Sequence, residues 1–157
     1  MRAAPRRRAT GSLTPLLDRE GLQELDVTTL LPLLVRAYLG LGEVDRAAEM
    51  ATESVSRARA QGHRIALADA LWARGMVATR QGQWDEAAQA LQEGLDLAHD
   101  ISYPYAEART LETYGAMRLA QGETDMARTR LEAALAIFDR LGACKDTKRV
   151  EQAIAGL

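Results

Sequence analysis

Residues 71–91 read LWARGMVATRQGQWDEAAQAL, and this stretch decides the fold. A helical pattern runs through Leu71, Arg74–Gly75 and Ala78, stops at Gly82 and restarts at Trp84. Glycine suits the point where a helix ends and the chain turns, because it enters the left-handed backbone region without steric cost. Asp85 follows in the first turn of the next helix, where a carboxylate meets free N–H groups and the positive end of the helix dipole. Ala87 is small enough for the two helices to approach closely. Leu91, four residues on, shares its face. The stretch is a helical hairpin.

The same hairpin occurs three times at a period of 40. Leu31, Leu71 and Leu111 share one column; Gly42, Gly82 and Gly122 a second; Asp45, Asp85 and Asp125 a third; Ala47, Ala87 and Ala127 a fourth. Four identical columns in one register define a repeat, whose units each bury an apolar face only against their neighbours. The helices are expected at 28–39 and 45–60, 63–80 and 84–99, and 104–120 and 124–141. Pro104 suits a first helical turn, with Ser102 as the cap before it. Trp84, Ala87, Ala88, Leu91, Leu95 and Ala98 form one amphipathic stripe; Ala127, Leu131, Ala134, Leu135, Phe138 and Leu141 form the next. A helix at 146–155, with Val150 and Ile154 inward and Lys148, Arg149, Glu151 and Gln152 outward, reads as the cap of the stack.

The composition agrees. Apolar residues make up 47% of the 157 residues but aromatics only 4%, so the apolar content is mostly alanine and leucine, both strong helix formers. A net charge of −2 lacks the basic excess of a nucleic-acid binder. Cys144 is the single cysteine, which fits a reducing compartment. No apolar run approaches the ~18 residues needed to span a membrane. Residues 1–11 carry Arg2, Arg6, Arg7 and Arg8 without a signal peptide's apolar stretch and read as a disordered basic leader before a repeat domain at 12–157. Residues 12–17 read as the end of a second helix without its first. The cluster Leu13, Leu16 and Leu17, with Leu30, Leu33 and Leu34, is therefore expected to be incompletely covered and to promote self-association, as in a chain cut from something larger. Of the 20 basic residues all but Lys145 and Lys148 are arginine, which suggests a GC-rich bacterial genome.

The pattern resembles the tetratricopeptide repeat, which has a large apolar residue, an apolar–glycine pair and an aromatic on its first helix, then an alanine and a large residue on its second. Hairpin two offers Leu71, Arg74–Gly75, Ala78, Ala87 and Leu91. Hairpin three offers Leu111, Tyr114–Gly115, Arg118, Ala127 and Leu131. Hairpin one offers Leu31, Leu34–Val35, Tyr38, Ala47 and Ala51. Arg74 and Arg118 depart from the family's apolar preference, Val35 replaces a glycine, and the period is 40 rather than about 34. A repeat of this length is also similar to the C-terminal helical-repeat region of large bacterial signalling ATPases, including LuxR-type activators, on the segments YPYAEARTL at 103–111 and LEAALAIFDRLGA at 131–143. These resemblances imply an all-α fold, a right-handed α-α superhelix of about three hairpins plus a capping helix. They imply a non-catalytic protein- or peptide-binding module of a cytoplasmic bacterial signalling or transcriptional regulator, with a structural or small-molecule-sensing fragment of such a regulator as the alternative.

Residues that carry chemistry are few. No Gly-Lys pair exists for a phosphate-binding loop, and no Gly-x-Ser-x-Gly elbow occurs. His63, His99 and Cys144 do not have metal-ligand spacing and read as solvated surface groups. Asp85–Glu86 sits at a helix start, where acids belong structurally. No catalytic residue, metal or cofactor is expected, nor direct contact with nucleic acid or membrane. The family resemblance places a concave groove along the first helices. Projected onto this chain it selects Arg36 and Leu39, then Asp69, Trp72, Met76 and Arg80, then Arg109, Glu112, Ala116 and Leu119. Trp72 turns about 100° away from core residue Leu71. It has two readings, an exposed anchor for a partner or a side chain packed on a neighbouring helix. With Arg36, Arg80 and Arg109 opposed by Asp69 and Glu112, the groove suits an acidic partner segment.

Overall fold

The computed structural model describes residues 24–157. It is an all-α, TPR-like superhelix of α1 (Glu24–Gly40), α2 (Val44–Ala60), α3 (Arg64–Gln81), α4 (Trp84–Asp100), α5 (Pro104–Ala120), α6 (Thr124–Leu141) and α7 (Cys144–Ala155). The expected leader at 1–11 and the Leu13–Leu16–Leu17 cluster lie outside the described residues.

One turn recurs six times. Gly42, Gly62, Gly82, Gly122 and Gly142 all have φ between 62° and 80°, and Ser102 has φ 53°. The left-handed residue therefore comes every 20 positions, once inside each hairpin and once between hairpins. Each turn closes in the same way: the residue after it donates its N–H to the carbonyl five residues back, as in Glu43 to Tyr38, His63 to Ala58, Gln83 to Ala78 and Tyr103 to Ala98. Such a bond satisfies a carbonyl that the last helical turn would otherwise leave open. This corrects the reading of Ser102 as a cap for α5. Tyr103 holds that position, and Ser102 does a glycine's work at the end of α4. His63, read as a solvated loop residue, caps α3: its Nδ1 accepts from the N–H of Ala66 at 3.0 Å. Asp45, Asp85 and Asp125 lie in first helical turns as expected.

The core follows the columns. Leu31, Leu71 and Leu111 are buried, and Ala47, Ala87 and Ala127 have no accessible surface. Gly75 lets α3 close on α4: a Cβ there would stand 2.4 Å from Leu91 Cδ2. Gly115 does the same for α5 and Leu131, at 2.8 Å from Cγ. Hairpin one reverses the arrangement, with Val35 in the glycine column and Ala51 in the leucine column, both in the main core cluster. The departure at Val35 is thus a volume exchange across one contact. Ala134, Phe138 and Val150 tie the capping helix to hairpin three. Leu141, expected in the inward stripe, is exposed, because it is the last residue of α6.

The first helices stack on one another, α1 on α3 and α3 on α5, more closely than the second helices do. They therefore form the inner, concave side of the superhelix.

Candidate binding groove

The concave side carries columns of side chains 40 residues apart, and several of them bond to the next hairpin at or beside their counterpart. Asp69 on α3 pairs with Arg109 on α5, Oδ1 to a guanidinium nitrogen at 2.5 Å, with both side chains only 17% exposed. The Arg109 guanidinium also lies over the Trp72 ring, 3.7 Å from its centroid, and that of Arg36 stands 5.6 Å from the same centroid. Trp72 Nε1 donates to Thr113 Oγ1 at 2.8 Å, and the Thr113 hydroxyl donates to the Arg109 carbonyl at 3.0 Å. Tyr103 stands near the pair. Burial pushes its hydroxyl above the ordinary tyrosine value of 10.0, and the Asp69 charge adds to the shift. The Nε of Arg109 is buried with no acceptor among the described residues.

Of the two readings of Trp72, these contacts favour the packed side chain over the exposed anchor. Trp72 is 4% exposed, and it packs on the neighbouring helix. The reason is the stacking itself. Residues 36, 109 and 113 come from the hairpins on either side of Trp72, and close approach of α5 to α3 leaves the indole under them. Arg109, expected to face a partner, is committed to Asp69. Glu112 is held by Arg149 of the capping helix through two bonds of 2.6 Å. Those bonds, foremost among several causes, raise the Arg149 guanidinium further above its ordinary pKa. Arg149, read as a solvated residue of the cap, is thus a clasp between α7 and α5.

The other candidates remain more open. Arg36 is exposed and makes no ion pair with another described residue. Met76 is half-buried against the main core. Arg80 is exposed and donates to the Leu39 carbonyl at 3.2 Å, binding the end of α1 to α3. Ala116 and Leu119 are exposed on α5. The groove therefore has a cationic, partly apolar section over hairpins one and two and an apolar section over hairpin three, divided by the Asp69–Arg109–Trp72 cluster. Thr113, Tyr103 and Arg149 were missing from the sequence selection. The signal was present, since Thr113 lies 41 residues from Trp72 and Arg149 lies 40 residues from Arg109 in the Asp69 column.

Among the described residues no group of histidine, cysteine and carboxylate side chains could hold a metal ion, and no helix is long and apolar enough to cross a membrane. No curated protein matches the chain. Residues 68–101 match the family model for the tetratricopeptide repeat. The match begins one turn into α3 and ends at Ile101, the C-cap of α4. Of the 40-residue unit 64–103, the match leaves out the six residues 64–67 and 102–103. A tetratricopeptide match points to a protein-interaction module. The chain is a TPR-like helical-repeat domain whose second hairpin is similar to the tetratricopeptide repeat.

Proposed function

We propose that this chain is a non-catalytic module that binds an extended protein segment along its concave face, and that the segment is acidic. The observation that carries this reading is the pair Arg36 and Arg80, exposed on α1 and α3 beside Met76 and without a carboxylate partner among the described residues. A guanidinium left without a carboxylate can take one in a forked, two-bond geometry. Ala116 and Leu119 add apolar contact further along. Trp72, Arg109, Asp69 and Glu112 then shape the groove between these two sections. Exposed Leu30 and Leu33 on α1 favour a second copy of the chain packing on that end. The arginine-rich composition and the segments at 103–111 and 131–143 support a place in a cytoplasmic bacterial signalling or transcriptional regulator.

The test is selection of peptides from a random displayed library against the full chain. Enriched peptides should carry aspartate or glutamate beside apolar residues. Their affinity should fall about tenfold in Arg36→Ala/Arg80→Ala, equivalent to roughly 1.4 kcal/mol. It should stay unchanged in Glu132→Ala on the exposed side of α6. Selected peptides that bind the double variant as tightly as the parent would overturn the groove reading.

A further inference from the structure

On the outer side of the superhelix, two consecutive second helices leave a gap floored by the first helix between them. The gap occurs twice, and the chain treats the two differently. Between α2 and α4 it is bridged from within and reduced to a cavity of about 100 Å³. Arg59 crosses it to Glu93, guanidinium nitrogen to Oε1 at 2.7 Å, and Val55, Leu67 and Leu71 cluster in the floor. Forty residues on, the positions of Arg59, Glu93 and Leu67 are taken by His99, Ala133 and Glu107. The crossing pair and one floor leucine are gone. What remains between α4 and α6 is a cavity of about 480 Å³. Its apolar surface comes from Leu95, Leu111 and Ala133; Asp96, Asp100 and Glu107 stand around it with His99.

The polar groups facing this cavity are loosely engaged. His99 Nδ1 stands 3.6 Å from Glu107, and Arg64 reaches Asp100 only at 3.7 Å, with the His99, Arg64 and Asp100 side chains all more than half exposed. Asp96 accepts one bond from Gln92 at 2.8 Å. Acceptor capacity on three carboxyl groups therefore faces a space with apolar walls, and among the described residues no ion pair spans it from α4 to α6 as Arg59 and Glu93 span the earlier gap.

We propose that this cavity receives an arginine side chain from a partner polypeptide. The fold supplies the precedent: the residue that spans the corresponding gap one repeat earlier is an arginine, half exposed, whose guanidinium rests on a glutamate. Leu95, Leu111 and Ala133 suit the three methylenes of the stem, and the carboxyl groups suit the planar donor fork, which an ammonium group matches less well. The volume falls within the range of sites that bury small ligands. Asp96, His99, Asp100 and Ala133 are exposed, so a side chain projecting from another backbone can enter. The site lies on the opposite side of the superhelix from the concave groove and stands or falls independently of it.

The experiment is titration of the isotopically labelled full chain with acetyl-Gly-Arg-Gly-amide, followed through backbone amide resonances. Shifts should centre on Leu95–Asp100, Glu107, Leu111 and Ala133, weaken with the lysine peptide, weaken with added salt and vanish with the glutamine peptide. The variant His99→Arg/Ala133→Glu copies the crossing ion pair of the preceding repeat. It should lose affinity for the arginine peptide by about tenfold or more. Glu107→Gln, which preserves packing, should weaken binding as well and keeps the test valid if the double variant fails to fold. An arginine peptide that moves no resonance of the cavity, or that binds both variants like the parent, refutes the proposal. Agmatine shifting these residues where the peptide does not would make the cavity a small-cation site and refute it equally.

Discussion

Replacing Gly75 with valine and Leu91 with alanine, singly and together, tests the volume exchange between hairpins. A Cβ at position 75 would lie 2.4 Å from Leu91 Cδ2 and 2.5 Å from Cγ, against about 3.5–4.0 Å for a relaxed carbon–carbon contact. Leu91 has no accessible surface and therefore no free direction in which to swing. Any gain in helix propensity over glycine, at most about 1 kcal/mol, is outweighed by overpacking. Gly75→Val should cost about 1–3 kcal/mol. Leu91→Ala should cost about 2–5 kcal/mol by opening a cavity. Together the two changes remove three carbons and add three, and they rebuild the Val35–Ala51 contact of hairpin one, whose two members are 0% and 2% exposed. The double variant should therefore be less destabilised than the sum of the singles by about 1–3 kcal/mol. On thermal melts followed by circular dichroism, each kcal/mol is worth about 2–4 °C in Tm for a chain near this size. A double variant that loses the full sum of the two single losses would show that hairpins one and two do not exchange volume at this contact.

Other outcomes follow from particular residues. Ala127→Leu should lower stability by about 1–3 kcal/mol, because Ala127 has no accessible surface and its carbonyl lies 3.2 Å from where a Cβ on Gly115 would sit; an unchanged Tm would contradict this. Ser102→Gly should raise Tm by a few degrees, since it removes a left-handed strain of about 1 kcal/mol at a turn where the five equivalent positions are glycine. Asp69→Asn should destabilise by about 1–3 kcal/mol by leaving the half-buried Arg109 without its carboxylate, measured by urea unfolding. The raised Tyr103 hydroxyl sets an alkaline signature. The unfolded chain loses this proton first as pH rises through 10.0, so stability should fall from there until the folded-state value is passed, and the fall should be shallower in Tyr103→Phe.

The fold was legible because a 40-residue register is a geometric statement. Identical residues at 42, 82 and 122 locate turns, and identical residues at 47, 87 and 127 locate helix contacts. The helices at 104–120 and 124–141 were read with the bounds they have in the structure. What the register of 40 concealed was its own half-period. Gly62 and Gly142 take the same left-handed conformation as Gly42, and Ser102 completes the series, but its place between them is visible only once the period is halved. Ser102 beside Pro104 has a strong local meaning as a cap, and that local signal outweighed the column.

The groove was less legible for a related reason. Sequence periodicity says which residues stand above one another, and it assigned Asp69, Trp72, Arg109 and Glu112 to one side of the first helices. It does not say how closely those helices approach. Residues 40 or 41 positions apart can face a partner in a row or bond to one another across the interface, and the two outcomes have the same sequence. Here the second holds at Asp69–Arg109, Trp72–Thr113, Arg80–Leu39 and Tyr105–Asp146. The distinguishing information lies in complementarity along the column. Aspartate followed by arginine at the same place in consecutive repeats can pair, and an indole followed one residue later by a hydroxyl can donate to it. Arg36 meets Met76 and then Ala116 in its column, with no acid in line, and it alone of the groove arginines makes no bond to another described residue beyond its approach to Trp72. A partner's carboxylate would therefore be expected first at Arg36, and with Arg80 left intact, Arg36→Ala should account for most of the loss in affinity for any acidic peptide that binds this face.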